Sequence, residues 1–166
     1  MHRLLPFLAA LFLLYSGWQF IQSQYPNFEG ISEAQAVPQG IQPIGLATIQ
    51  KFLKQPGRRV LFLYASWCPY CHKQMEGFKQ LKAQYPLDDI IAVSIDKKPE
   101  QLLKHYQKVP TTPFEPLIYQ GESELMDFLR EEGGSFRGGI PYFAIFHDGA
   151  YVGESLGLTH PKELAH

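Results

Sequence analysis

Beyond Cys68 and Cys71 the chain has no cysteine: two in 166 residues. Such scarcity excludes a scaffold stapled by several disulfides and a zinc site built on four thiolates. There is no excess of either charge, because 15 Lys and Arg stand against 16 Asp and Glu and are interspersed with them. A nucleic-acid footprint and a polybasic membrane patch are therefore both missing. No internal repeat is visible. His2, His105, His147, His160 and His166 show no paired ligand spacing, so no metal is assigned, and no motif calls for an organic cofactor. Gly133-Gly134 and Gly138-Gly139 are followed by no helix, which rules against a phosphate cradle and leaves a flexible loop presenting Pro141. The neighbouring acids Glu131-Glu132 and Asp88-Asp89 point apart on a helix or lie in a turn, and read as solvated surface.

What the chain does have begins with a long apolar run. Leu4 to Ile21, about 18 residues, just suffices to cross a hydrocarbon core, and it follows only Met1, His2 and Arg3. Small residues in a cleavage-site pattern occur only at Ala34-Gln35-Ala36, far past the run, which favours an uncleaved anchor over residues 1–21 rather than a removed signal. Arg3 is the one flanking basic residue, and on the far side Glu29 and Glu33 precede the next, Lys51. The positive-inside rule then places the rest of the chain outside the cytoplasm. Residues 22–43, rich in Gln, Pro, Gly and Ser, read as a tether, and residues 44–166 as one domain of about 125 residues with a single core.

Within that domain hydrophobic period and punctuation mark the elements. Gly45 to Lys54 predicts a short helix stopped by Pro56-Gly57. Val60 to Ala65 and Ile90 to Ile95 are too apolar for half-exposed strands and predict strands buried on both faces. From Pro69, the residues Cys71, Met75, Phe78, Lys82 and Tyr85 recur at near-helical spacing until Pro86. Pro99 to Gln107 predicts a helix opened by proline, and Glu122 to Glu132 one closed by Gly133-Gly134. Between them Pro110 to Gly121 is expected to be irregular. Tyr142 to His147 and Ala150 to Ser155 flank Asp148-Gly149, a strong hairpin signal, and His160 to His166 allows at most a turn or two of helix. A strand–helix–strand order with a terminal hairpin implies a central mixed sheet with helices on both faces, its first two strands parallel.

Cys68-Pro69-Tyr70-Cys71 follows the first buried strand and opens a helix. Unpaired N–H groups and the positive dipole end favour an anion on Cys68 and lower its pKa below that of a free thiol, which makes Cys68 the nucleophile. Cys71, one turn on, then resolves the mixed disulfide. Pro69 removes one N–H donor while fixing a helical φ, Tyr70 flanks the sulfur, and His72 either adds charge at mildly acid pH or is plain surface. Tyr142, Phe143 and Phe146 read as hairpin and core residues, with Tyr142 also placed to border a substrate groove.

The order Trp67-Cys68-Pro69-Tyr70-Cys71, helix, then a distant Gly139-Ile140-Pro141 opening a hairpin resembles the thioredoxin superfamily over about residues 60–164. That resemblance implies a thioredoxin-like α/β fold, a redox disulfide Cys68–Cys71, a cis bond before Pro141, and tuning or substrate contacts from Trp67, Pro69, Tyr70, Ile140 and Pro141. An anchor plus the extra stretch between Ile95 and Gly138 looks like the TlpA-like, cytochrome-maturation type: a bacterial inner-membrane protein facing the periplasm or extracytoplasmic space. This type implies a thiol–disulfide oxidoreductase that reduces a disulfide-bearing client and is recharged by a membrane dithiol donor. Two positions depart from the pattern. Phe62 stands where thioredoxins carry a buried acid, and Gln74 where TlpA-like proteins often carry Glu, so the proton of Cys71 passes to water or to Glu76.

Other readings of the same residues stay open. Cys68-Pro69-Tyr70-Cys71-His72 also spells a c-type haem attachment site, with Met75 or Met126 as opposite ligand. A disulfide-forming donor uses the same pair in reverse. A purely structural disulfide closes too short a loop to remove much denatured-state entropy, and copper delivery needs only the two thiolates.

Overall fold

The computed structural model describes residues 40–83, 86–109 and 112–160. The predicted anchor, nearly all of the tether and the predicted C-terminal turn of helix lie outside these residues. Among the described residues no helix is long and apolar enough to cross a membrane.

Strands β1 (Gln42–Pro43), β2 (Arg58–Tyr64), β3 (Ile90–Ser94), β4 (Leu117–Ile118), β5 (Tyr142–His147) and β6 (Ala150–Leu156) form one sheet in the order β1-β4-β3-β2-β5-β6. The first four in that order run parallel, while β5 and β6 are antiparallel to their neighbours, so the sheet is mixed. Helices α1 (Leu46–Leu53), α2 (Pro69–Lys82), α3 (Pro99–Lys108) and α4 (Glu122–Glu131) complete the fold.

Strand β2 organises both cores. From Val60 to Tyr64 every residue is at most 1% exposed, and strand alternation sends successive side chains to opposite faces. Val60, Phe62 and Tyr64 pack with Cys71, Met75, Phe78 and Leu81 of α2 and Leu102 of α3. Leu61 and Leu63 pack with Ile49 and Leu53 of α1 and Leu125, Phe128 and Leu129 of α4. A continuous apolar run is what such a strand requires, since neither face meets water.

Several expectations change in detail. Gln42–Pro43, expected at the end of the tether, pairs with Leu117–Ile118, and the preceding Ile41 is buried against the α2 side of the sheet. Both β1 and β4 are two-residue strands, too short to leave a period in sequence. The inward stripe of α2 is Cys71, Gln74, Met75, Phe78 and Leu81. Lys82 instead reaches the carbonyl of Pro113, and Tyr85 lies outside the described residues. Loop 133–139 is tied down rather than flexible: Phe136 is buried against Tyr142, and Ser135 donates its N–H and hydroxyl to the Glu154 carboxylate. Tyr142 is itself buried, its hydroxyl also on Glu154, which removes it from any groove rim.

The hairpin turn is as its sequence demands. Asp148 and Gly149 both have positive φ, 50° and 78°, the pair of left-handed residues that a two-residue turn between twisted strands needs. Asp148 also accepts from the Gly57 N–H, fastening the turn to the start of β2.

Two outcomes follow from this packing. Partial burial works to raise the Glu154 pKa, but donors from Ser135, Tyr142 and Tyr151 outweigh it and bring it from 4.5 to about 2. A depressed carboxyl stabilises the fold above its unfolded pKa and loses that contribution as pH falls through the folded one. Thermal melts of wild type and Glu154→Gln should therefore differ at neutral pH and converge between pH 4.5 and about 2. Separately, Phe62 stacks on Phe143 at 4.8 Å between ring centroids. Phe62→Ala should cost about 3–5 kcal/mol in a denaturant titration, and Phe62→Asp, which buries an unpaired carboxylate instead, should not be milder.

Candidate redox site

Because β2 is locked between two cores, the place where it ends is set, and that end carries the motif. Ala65 to Trp67 turn the chain, closed by the Cys68 N–H on the Ala65 carbonyl at 3.1 Å. Cys68 is the N-cap of α2, with extended backbone, and Pro69 takes the first helical position, where the missing N–H costs no intrahelical bond. Gly77 and His72 give this helix modest intrinsic propensity, so its stability comes from the buried stripe rather than from its sequence alone.

Cys68 and Cys71 are joined in a disulfide, with Cα atoms 5.2 Å apart. Cys68 is 4% exposed and Cys71 not at all. The Cys71 N–H donates to Cys68 Sγ at 3.1 Å. That donor is one of the amides a helix N-terminus leaves without an intrahelical partner. It is the contact that would hold charge on Cys68 once the bond is reduced, since a thiolate at a helix start meets both the amide and the dipole.

Facing the pair is the other sequence landmark. The Ile140–Pro141 peptide bond is cis, and the Ile140 carbonyl oxygen lies 3.9 Å from Cys68 Sγ. The Pro141 carbonyl accepts from the Gly157 N–H at 2.8 Å, so the segment is held from the β6 side. Gly138, with φ of 83°, gives the loop the left-handed step it needs before Ile140. Trp67 and Tyr70 stand out at 63% and 60% exposure on either side of Cys68 in the chain. Pro69 is exposed between them.

The remaining candidates separate clearly. Phe62 is sealed among aromatic rings with no polar partner. Gln74, 2% exposed, pairs with a whole peptide unit: its amide nitrogen donates to the Thr159 carbonyl and its oxygen accepts the Thr159 N–H, at 2.9 and 3.0 Å. A glutamate there would turn an acceptor toward that carbonyl, which is the physical reason for an amide in this position. Glu76 is on the solvent side of α2, 3.8 Å from Lys79, and does not join the site. His72 folds back, its Nε2 2.7 Å from the Ser66 carbonyl, and stacks on His105.

Motif spacing singled out neither Ser66 nor Asp96, yet both are in the site's immediate frame. Ser66 lies in the turn before Cys68, and Asp96 accepts its N–H and hydroxyl at 2.8 Å each. The available signal was position: Asp96 lies two residues past a buried parallel strand, at the carboxyl end where sites of open α/β sheets gather.

A family model described as Thioredoxin-like matches residues 58–147, which takes in β2, the cysteine motif, β3 and β5. Among solved structures, a Chlorobium tepidum protein assigned as the thiol:disulfide interchange protein DsbE superposes with a TM-score of 0.50 at 18% identity, covering 66% of this chain and 74% of its own. StoA from Bacillus subtilis gives 0.49 at 20% identity, over 67% and 82%. Mitochondrial thioredoxin 3 from Saccharomyces cerevisiae gives 0.43 at 18%, over 74% and 89%. No curated protein matches the sequence significantly. With its family match spanning more than half of the 166 residues and its disulfide at the head of α2, the chain belongs to the thioredoxin-like family.

Proposed function

We propose that this protein is a membrane-anchored, extracytoplasmic thiol–disulfide oxidoreductase of the TlpA-like, cytochrome-maturation type, which reduces disulfides of client proteins. The observation that carries the reading is the Cys71 amide set on Cys68 Sγ at the start of a helix, opposite the Ile140 carbonyl. In the reduced protein the Cys68 thiolate attacks one sulfur of a client disulfide, forming a mixed disulfide and releasing the client's first thiolate. Cys71, having lost its proton to water, attacks Cys68 Sγ, which expels the second client thiolate and closes the Cys68–Cys71 bond. Two electrons pass from this protein to the client. A dithiol donor in the membrane returns them, as this type of protein implies.

Trp67, Tyr70 and the Ile140–Pro141 backbone form the surface on which a client strand lies. The client this type of protein implies is an apocytochrome, another assembly factor, or a broader set of extracytoplasmic proteins. The anchor and the outward orientation rest on Leu4 to Ile21 and on Arg3.

The haem reading loses support. Cys71 has no exposed surface, and His72 Nε2 is engaged with a backbone carbonyl. Met75 is buried on the same helix while Met126 packs in the core on the other face of the sheet, so neither stands across from His72 as a second ligand.

Insulin reduction by the full chain in detergent should be abolished by Cys68→Ser and by Cys71→Ser, and Cys71→Ser should accumulate a mixed disulfide with its client. Equal activity in wild type and both variants would refute the proposal. For a reductase the potential should lie near that of thioredoxin, about −270 mV, whereas a value near about −120 mV would assign the disulfide-forming direction instead.

A further inference from the structure

Among the described residues Asp96 is the one fully buried acid. A carboxylate without surface is tolerated only when its oxygens are filled. Here Oδ2 accepts the Ser66 N–H at 2.8 Å and the Ser94 hydroxyl at 2.6 Å, and Oδ1 accepts the Ser66 hydroxyl at 2.8 Å. The Asp96 N–H returns to Ser94 Oγ at 3.0 Å, which fixes the acid to the end of β3. Ser66 is also held from its other side. Its carbonyl lies 2.7 Å from His72 Nε2, and since a carbonyl only accepts, that nitrogen carries the proton. The His105 ring, stacked at 4.5 Å, backs the His72 ring.

All three polar groups of Ser66 are thus occupied, two by Asp96 just past β3 and one by His72 of α2. Ser66 stands two residues before Cys68, in the turn that decides where the sulfur sits relative to the Cys71 amide and the Ile140 carbonyl. Just before the turn the Ile95 N–H donates to the Tyr64 carbonyl at 2.9 Å, which holds the end of β2. Among the side-chain hydrogen bonds of the described residues, those from Ser66 to Asp96 are what tie the turn itself to the segment after β3.

We propose that Asp96 is a positioning residue of the redox site, which clamps Ser66 and thereby holds Cys68 in attacking geometry. The inference rests on the oxidoreductase function proposed above. Displacing a reacting atom by about 1 Å can cost about a hundredfold in rate, so a loosened turn should be visible in turnover. The hydrogen-bond pattern also distinguishes a clamp from a proton acceptor. An asparagine can place its oxygen at the Oδ2 position, still accepting from Ser66 N–H and the Ser94 hydroxyl, and donate its amide to Ser66 Oγ, because a hydroxyl either donates or accepts. Asparagine therefore keeps the clamp while removing the charge.

The test compares kcat/KM for insulin reduction by full-length wild type, Asp96→Ala and Asp96→Asn, with near-UV circular dichroism confirming that each is folded. Asp96→Ala should lose about tenfold or more, and Asp96→Asn should restore most of the loss. A folded Asp96→Ala that matches wild type overturns the clamp. So does an Asp96→Asn as poor as Asp96→Ala, since charge would then be the property that matters. If Asp96→Ala does not fold, Ser66→Ala carries the same question: removal of the one hydroxyl should cost severalfold, and an unchanged rate overturns the proposal. A wild type that reduces no disulfide sinks the oxidoreductase reading and this one with it, whereas an active wild type beside an indifferent Asp96→Ala sinks the clamp alone.

Discussion

Burial of β2 on both faces is the constraint from which the site follows. Side chains of a strand go alternately to the two faces of the sheet, so a one-residue slip turns every one of them over. A strand whose every side chain from Val60 to Tyr64 is packed into one core or the other cannot shift by a residue without exchanging the two faces. The turn at Ala65 to Trp67 therefore begins at a set point, and α2 begins where that turn ends. The Cys71 amide meets Cys68 Sγ because two cores have already decided where the strand stops.

The second half of the site is delivered by a separate part of the chain. Ile140 and Pro141 reach the cysteines only because β5 pairs with β2 and leads out of a loop pinned by Phe136 and Ser135. Glu154 connects that loop to the hairpin with donors from Ser135, Tyr142 and Tyr151. The motif at the head of α2 and the segment before β5 are thus positioned independently, each by its own buried anchor, and they meet at 3.9 Å.

Much of this was legible in the sequence, for identifiable reasons. Long apolar runs such as Val60 to Ala65 and strong punctuation such as Asp148-Gly149 or Gly133-Gly134 make local signals that tertiary context reinforces. The cysteine pair announced itself by being the chain's whole stock of thiol. Illegible parts depended on partners distant in sequence. The strands Gln42–Pro43 and Leu117–Ile118 exist only by pairing with each other, and β4 with β3. Gln74 looked like a missing acid until its partner, the Thr159 peptide, was beside it. Loop 133–139 has the glycine content of a mobile segment, and its anchors, Tyr142 against Phe136 and the Glu154 carboxylate on Ser135, lie further along the chain. Asp96 gave no motif because its partners, Ser66 and Ser94, are ordinary residues brought together by parallel strand ends.

The near-complete enclosure of the disulfide has a consequence for what can be exchanged with it. With Cys68 at 4% exposure and Cys71 at none, a bulky globular surface has no direct line to either sulfur. Under the function proposed above, a slender, pliable stretch of polypeptide would bring its own sulfur to this pair more readily than a rigid face. On that reading the fold would favour chains not yet folded over those that have already hidden their cysteines.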